Sequence, residues 1–496
     1  MRRTKIVCTI GPASSGTEEL DRLVAAGLDV ARLNFSHGTH DEHAEVVRRI
    51  REGEPRWGRP VAILQDLQGP KIRLGTFGPG GGARVDLEPG RPFTLCAHDV
   101  EGTAERASIT QPEYLRDLRA GDEIWMDDGM IQLRVEATSA DEVRCRVVVG
   151  GRISDHKGLS LPRVKLPVSC MTDKDRDDLR FGLRHGVDYV AVSFVRSADD
   201  IAEVREFLRQ EGADLPIVAK LERHEIVANL PGILSKVDAV MVARGDLGVD
   251  VPIEDVPQIQ KEIIRQARGA KVPVIVATQM LESMVTHIRP TRAEVSDVST
   301  AIFDGADAVM LSAETATGRY PHEAVTVMAR VAERADGAVL TLERERRRRP
   351  GASFQEAISD AAATAAHALD ARAIVAFTES GFSARLISQA RPSVPIIALT
   401  PFVEVQRRLA ISWGVTSRLI RKVDTTDEMV EEVEANLLGD GAVRPNDVIV
   451  IISGSPMWVR GTTNLLKLHR VGERRARGSS SGADCRAASF RRSSVF

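Results

Sequence analysis

The chain has 496 residues, with 67 Lys and Arg against 70 Asp and Glu and a formal net charge of −3. A phosphate-backbone binder carries a basic excess, so nucleic acid is excluded as the expected partner. Hydrophobic residues make up 43% and charged residues 28%, the balance of a globular chain of about three domains at roughly 150 residues each. No apolar run approaches the roughly 18 residues that a membrane-spanning helix needs, so no membrane partner is expected. The opening MRRTKIVCTIGP reads as a buried strand rather than a secretion signal. Cysteines at 8, 96, 145, 170 and 485 are odd in number and form no C-x-x-C. They argue against a disulfide framework or zinc site and fit a reducing cytoplasm.

In chain order, short apolar runs come first: KIVCTIGP (5–12), DVARLNFSHG (29–38) and VAILQDLQGP (61–70). After a long gap follow DYVAVSFVRS (188–197), PIVAKLE (216–222), AVMVARGDLG (239–248), PVIVATQM (273–280) and AVMLSAET (308–315). Unbroken apolar runs of this length mark strands buried on both faces, hence parallel ones. Between them lie helical patterns such as 17–27, 198–212 and 256–270, with apolar residues three and four apart and a Gly near the end. Eight strands alternating with helices predict a (β/α)8 TIM barrel formed by 1–71 and 167–342. The long gap, 72–166, holds alternating stretches around a DDG turn and predicts an inserted all-β lid domain, a small β-barrel over the mouth. Glycines 80–82 read as a hairpin tip, since no helix follows them. The basic run ERERRRRPG (343–351) reads as a solvated link. Residues 352–472, with strands expected at 373–381, 395–401 and 447–455, predict a C-terminal open α/β domain. The last residues, 473–496, carry six Arg and six Ser and read as a disordered tail.

Chemistry in such a barrel sits where strands end at their C-terminal edge. Those ends read Arg32 to His37, Asp66 to Arg73, Lys220 to Glu222, Arg244 to Asp246, Thr278 to Gln279 and Ser312 to Thr315. Three cations, Arg32, Arg73 and Lys220, suit a phosphate, because guanidinium groups match phosphate oxygens in pairs. Two carboxylates, Glu222 and Asp246, suit magnesium completed by substrate oxygens and water. Lys220 and Glu222 are two apart and point to one side. Taken singly, each has a plainer reading: a surface arginine, a structural Lys-x-Glu ion pair, a turn cap at Glu314, structural work at Glu282. Six strand ends carrying such groups together favour a phosphoryl-transfer site.

The segments TKIVCTIGPAS, VARLNFSHG, LQDLQGPKIRLG, VAKLE, ARGDLGVDVP, VATQMLESM, RPTRAEVSDV and ADAVMLSAETATGRYP closely resemble pyruvate kinase, bacterial type. The resemblance runs from about residue 3 to 472 and takes in IWMDDGMI, KGLSLPRVKLP, SGSP and TTNLLKLHRVG. It implies transfer of the phosphoryl group of phosphoenolpyruvate to ADP, giving pyruvate and ATP, the last step of glycolysis, in a cytoplasmic homotetramer. By the same resemblance Arg32 and Arg73 contact the transferring phosphate and Lys220 stabilises it in the transition state. Glu222 and Asp246 hold Mg2+ or Mn2+, and Gly245, Asp246 and Thr278 bind the substrate. Asn34, Ser36, His37 and Arg73 line the nucleotide phosphates. Thr278 and Ser312 are candidates for the relay that protonates the enolate. Asn34, Ser36, Asp66 and the Leu67 carbonyl match the family's potassium pocket, yet Leu67-Gln68 and Lys71 resemble the potassium-independent subgroup, in which a lysine replaces the ion. Independence from K+ is therefore expected. Ser197, Ile226, Ala313 and Thr317 depart from the family's usual residues; Ser197 stands where many members carry a nucleotide-contacting lysine.

In the third domain, Thr378, Ser380, Gly381 and Ser383 resemble the family's allosteric phosphate loop, and Glu379 disfavours a bisphosphate there. A phosphorylated effector, a sugar monophosphate or AMP, is expected. Two rival readings stay open at this point: a barrel lyase acting on an enolpyruvate without ADP, and a silenced relative that senses metabolites.

Overall fold

A computed structural model of the chain describes residues 2–127, 129–162, 169–342, 353–455 and 463–473. The link at 343–351, nearly all of the expected tail and part of the lid's return fall outside these residues. Eight parallel strands close a barrel: β1 Lys5–Thr9, β2 Val30–Asn34, β3 Ala62–Asp66, β4 Tyr189–Val192, β5 Ile217–Leu221, β6 Ala239–Ala243, β7 Val274–Ala277 and β8 Ala308–Leu311. Each neighbours its sequence neighbour, and β8 pairs β1 through Lys5 and Ala308. Within the described residues, no helix is long and apolar enough to cross a membrane.

Strand alternation divides the apolar residues into two cores. Val7, Val30, Leu64, Ala191, Val218, Met241, Ile275 and Met310 fill the barrel interior. Their neighbours Ile6, Cys8, Leu33, Ile63, Val192, Ala219, Val242, Val276 and Leu311 pack outward under the helices. Burial on both faces is why the runs read as continuously apolar. The inward parity, carried two residues past the apolar layer, reaches Thr9, Arg32, Asp66, Ser193, Lys220 and Ser312. The site is thus the top layer of the barrel interior with its side chains changed from apolar to polar.

The insert is all-β. Its seven-stranded sheet runs from Ile72–Arg73 through Gly158–Ser160, Glu123–Met126, Ile131–Thr138, Glu142–Val149 and Pro92–Cys96 to Arg106–Ser108. The two ends of that sheet meet through the bridge Leu74 to Ile109, with a second bridge, Phe77 to Gly102, beside it. Thr110 N–H donates to the Arg73 carbonyl at 2.9 Å, and Gly75 N–H to that of Ser108 at 2.8 Å. The sheet therefore curls back on itself around its own apolar core, which includes Phe93, Leu95, Ile124 and Leu133.

The C-terminal sheet has five strands in the order Val415–Leu419, Ile396–Thr400, Ala373–Phe377, Val448–Gly454 and Thr463–Arg470, the last antiparallel. Both edge strands escaped the sequence reading, because each alternates half-exposed residues instead of forming an apolar run.

Candidate active site

At the rim, Asp66 is fully buried and sits between two cations. Arg32 Nε donates to Asp66 Oδ2 at 2.7 Å, and its Nη1 donates to Thr9 Oγ1 at 2.8 Å. The Lys220 ammonium lies 3.4 Å from Asp66 Oδ1 and 3.5 Å from Glu222 Oε2. Burial alone raises the Asp66 carboxyl; Lys220 and Arg32 outweigh it and hold the group below its usual value. For Lys220 burial disfavours the charge, but Asp66, Glu222 and Asp246 reverse the balance and raise its pKa. The balance favours the charged ammonium. Burial pushes Glu222 up; Lys220 opposes that shift and Asp246 adds to it.

Two strand ends carry backbone that side chains rarely adopt. Thr278 and Gln279 after β7 have φ of 69° and 54°, and Phe194 after β4 has 57°. Such outliers cluster at functional sites. The Thr278 turn brings its Oγ1 within 2.8 Å of the Gly245 N–H, which donates to it. Arg244 locks that turn, donating to the Thr278 carbonyl and to Asp297 at 2.7 Å each. Asp246 lies in the first turn of helix Arg244–Asp250, beside Glu222's strand. Glu314, fully buried, accepts from Ser312 N–H at 2.7 Å and Leu281 N–H at 3.0 Å, tying the ends of β7 and β8 together. Ser312 Oγ is buried and has no hydrogen-bond partner among the described residues.

On the nucleotide side, Ser36 N–H donates to Asn34 Oδ1 at 3.1 Å. Burial, then the charges of Arg73, Lys71 and Arg32, hold His37 below the usual imidazole value. The Lys71 ammonium stands 3.5 Å from Asp246 Oδ1. Arg73, on the first lid strand, donates to the His156 carbonyl at 2.9 Å. Lid and barrel thus bring Lys71, Arg73, Arg32 and His37 toward one region between them.

The donor set suits a divalent ion. Glu222 Oε2 is buried without a hydrogen-bond partner among the described residues, and Asp246, after the neighbouring strand, lines the same cavity as Glu222. Two hard carboxylates with open positions for substrate oxygen and water are what magnesium takes.

The sequence reading missed Ser193. Its Oγ accepts from Lys220 Nζ at 2.7 Å and donates to the Leu67 carbonyl at 2.8 Å. Barrel parity was the signal that could have found it. Among the departures, Ser197 caps helix Ala198–Gln210, with its side chain accepting from Asp199 N–H at 3.2 Å. Ile226 is buried in the barrel's outer core. Ala313 opens the short helix Ala313–Ala316 and Thr317 closes it. In the C-terminal domain, Gly381 has φ of 82° and precedes helix Phe382–Gln389. Thr378 and Ser383 are buried, and the Ser383 hydroxyl is 2.5 Å from that of Thr463. Glu379 and Ser380, both half-buried, form the more open part of that loop, and Gly381 is buried.

Comparison with known proteins gives the family and the fold. The family described as pyruvate kinase, barrel domain, matches residues 1–325, and that described as pyruvate kinase, alpha/beta domain, matches 356–469. A pyruvate kinase of Corynebacterium efficiens is 46% identical over 95% of this chain and 98% of its own length. One from Mycobacterium tuberculosis is 44% identical over 95% and 99%. The crystal structure of a pyruvate kinase from Cryptosporidium parvum superposes with a TM-score of 0.87 at 35% identity, covering 95% of this chain and 96% of that one. The chain belongs to the pyruvate kinase family.

Proposed function

We propose the following division of labour for the reaction this chain catalyses, transfer of the phosphoryl group of phosphoenolpyruvate to ADP, giving pyruvate and ATP. Lys220 and Arg32 hold the phosphoryl group from the barrel side, and Arg73 reaches it from the lid. The observation that carries this reading is the buried charge ladder Arg32–Asp66–Lys220–Glu222, with contacts of 2.7, 3.4 and 3.5 Å. Fixed charges of this kind act without reorganisation when charge moves onto the transferring group. Thr278 and the Gly245 amide orient the substrate carboxylate. Ser312, whose hydroxyl has no hydrogen-bond partner among the described residues, joins Thr278 in delivering a proton to the enolate carbon. Asn34, Ser36, His37 and Arg73 receive the nucleotide phosphates.

Glu222 and Asp246 would hold the divalent ion, Mg2+ or Mn2+, which when bound neutralises phosphate and enolate oxygens. The proposed monovalent pocket is supported as vestigial by its own hydrogen bonds. Asn34 Oδ1 already accepts from Ser36 N–H, Asp66 lies between Arg32 and Lys220, and the Leu67 carbonyl accepts from Ser193. Lys71 brings a further positive charge to this region, so activity without K+ follows.

The domain division proposed is 1–71 with 167–342 for the barrel, 72–166 for the lid and 352–472 for the C-terminal domain, supported by separate apolar cores. The loop at Thr378, Ser380, Gly381 and Ser383 is proposed to take a sugar monophosphate or AMP. A cytoplasmic homotetramer completes the proposal.

Lys220→Ala tests the assignment. Its kcat should fall at least on the order of 1,000-fold, the scale of losing a preorganised charge at the reacting group. Its KM for phosphoenolpyruvate should stay within about tenfold. A variant that keeps near-normal kcat sinks the assignment.

A further inference from the structure

The Lys220 ammonium makes its shortest contact with a neutral hydroxyl, not with a carboxylate: Ser193 Oγ at 2.7 Å, against 3.4 Å to Asp66 and 3.5 Å to Glu222. An ammonium only donates, so the hydroxyl is the acceptor, and its own hydrogen goes to the Leu67 carbonyl at 2.8 Å. Ser193 is almost fully buried at the end of β4 and shares the inward parity of Tyr189 and Ala191. The backbone around it is built for this placement. Phe194 is held at φ 57°, and its N–H donates to Glu222 Oε1 at 2.7 Å. Gly69, at φ 68°, lets the loop after Leu67 close on the turn, because a Cβ there would come within 2.9 Å of both Ser193 Cβ and Phe194 Cδ2. One strained turn therefore holds both members of the Lys220–Leu221–Glu222 strand end, the lysine by a hydroxyl and the carboxylate by an amide.

We propose that Ser193 is a positioning residue for phosphoryl transfer, keeping the Lys220 ammonium centred between Asp66 and Glu222 and free to face the transferring group. Without the hydroxyl, nothing neutral among the described residues holds the ammonium at that point. It closes onto one of the two carboxylates, which withdraws its charge from the phosphoryl group. This inference rests on the reading of Lys220 given above.

The test is a set of single-site variants and one double variant, assayed as purified full-length chain with phosphoenolpyruvate, ADP and saturating magnesium. Ser193→Ala should lose about tenfold in kcat, the scale of one hydrogen bond to a charged group. Its KM for phosphoenolpyruvate should stay within about twofold and its thermal midpoint within a few degrees. Ser193→Cys, similar in size but a weaker acceptor, should fall between serine and alanine. A packing role would instead make Cys and Ala alike or shift the midpoint with kcat unchanged, and either result overturns the proposal. Adding Ser193→Ala to Lys220→Ala should cost nothing further, because the serine acts only through the lysine. Single-turnover reactions with excess enzyme keep the slow variants measurable. A further tenfold loss in the double variant overturns the proposal. Full activity in Lys220→Ala alone overturns the underlying reading as well, and so is told apart from a failure of Ser193.

Discussion

The two halves of the site are built differently. On the barrel, Arg32, Asp66, Lys220 and Glu222 come from three strand ends; Arg32 and Lys220 pair across to Asp66, and Glu222 pairs with Lys220 of its own strand end while accepting from the Phe194 N–H of the next. On the lid, Arg73 makes no ion pair among the described residues; its guanidinium contacts a carbonyl of its own domain. The barrel half is fixed before substrate arrives, and its charges are already balanced. The lid half carries a cation whose pairing is left for the ligand. Preorganisation lowers the barrier only where the charges stay put, so the difference implies that barrel residues set kcat and stability while Arg73 sets capture and alignment.

The sharpest way to break this contrast lies with the metal carboxylates. Glu222→Gln and Asp246→Asn should each raise the magnesium needed for half-maximal rate on the order of 100-fold, because a hard cation loses one of two anionic ligands. Magnesium titrations of initial rate would show this. An unchanged magnesium requirement in both variants would remove the barrel half of the account.

Next come the two arginines. Arg73→Ala should lower kcat/KM for ADP by about 10- to 100-fold, the worth of charge-assisted hydrogen bonds to phosphate, with the thermal midpoint unmoved. Arg32→Ala should lower activity and also destabilise the fold by about 3 kcal/mol, since it leaves Asp66 buried with one cation fewer. Paired kinetics and thermal unfolding separate the two. Equal effects on stability would erase the distinction between fixed and free cations.

Much of this contrast could be read from residue order alone. The inward parity of the barrel strands places Arg32, Asp66, Lys220 and Ser312 on one rim, and apolar runs announce those strands. Ser193 shares that parity and could have been placed with them; its contact with the folded-back Leu67 loop is what the sequence does not state. Ser197, expected as the place of a missing nucleotide contact, also caps a helix, a local role its spacing to Asp200 already allowed. The lid's all-β character was legible from alternation. Its barrel form was expected as well; the pairing that closes it, Leu74 with Ile109 across 35 residues, was not legible. The two edge strands of the C-terminal sheet were lost for a similar reason: one face of each is wet.

An effect confined to stability lies at the far end of the barrel. Burial alone raises the Asp29 carboxyl, but Arg2, Lys5 and Arg59 outweigh it and hold the group well below the carboxylate range. A depressed folded value means a contribution fully present above the unfolded value of about 3.9 and lost as pH falls toward the folded one. Asp29→Asn should therefore cost about 3 kcal/mol at pH 7, with a difference from the parent chain that shrinks below pH 4 and with kcat unchanged. Denaturant titrations at several pH values would show it; a difference that grows toward low pH would reverse the sign argued here.

The central claim is that one rim gathers fixed cations and a metal-binding carboxylate pair around a single transferring phosphoryl group. The most direct measurement is pyruvate release from phosphoenolpyruvate by the purified chain, with and without ADP, magnesium and potassium. Pyruvate should form only when ADP and magnesium are both present, at a rate that potassium does not raise. Pyruvate formed without ADP, or no turnover under any combination, would contradict the account, and a large potassium activation would contradict the role given to Lys71.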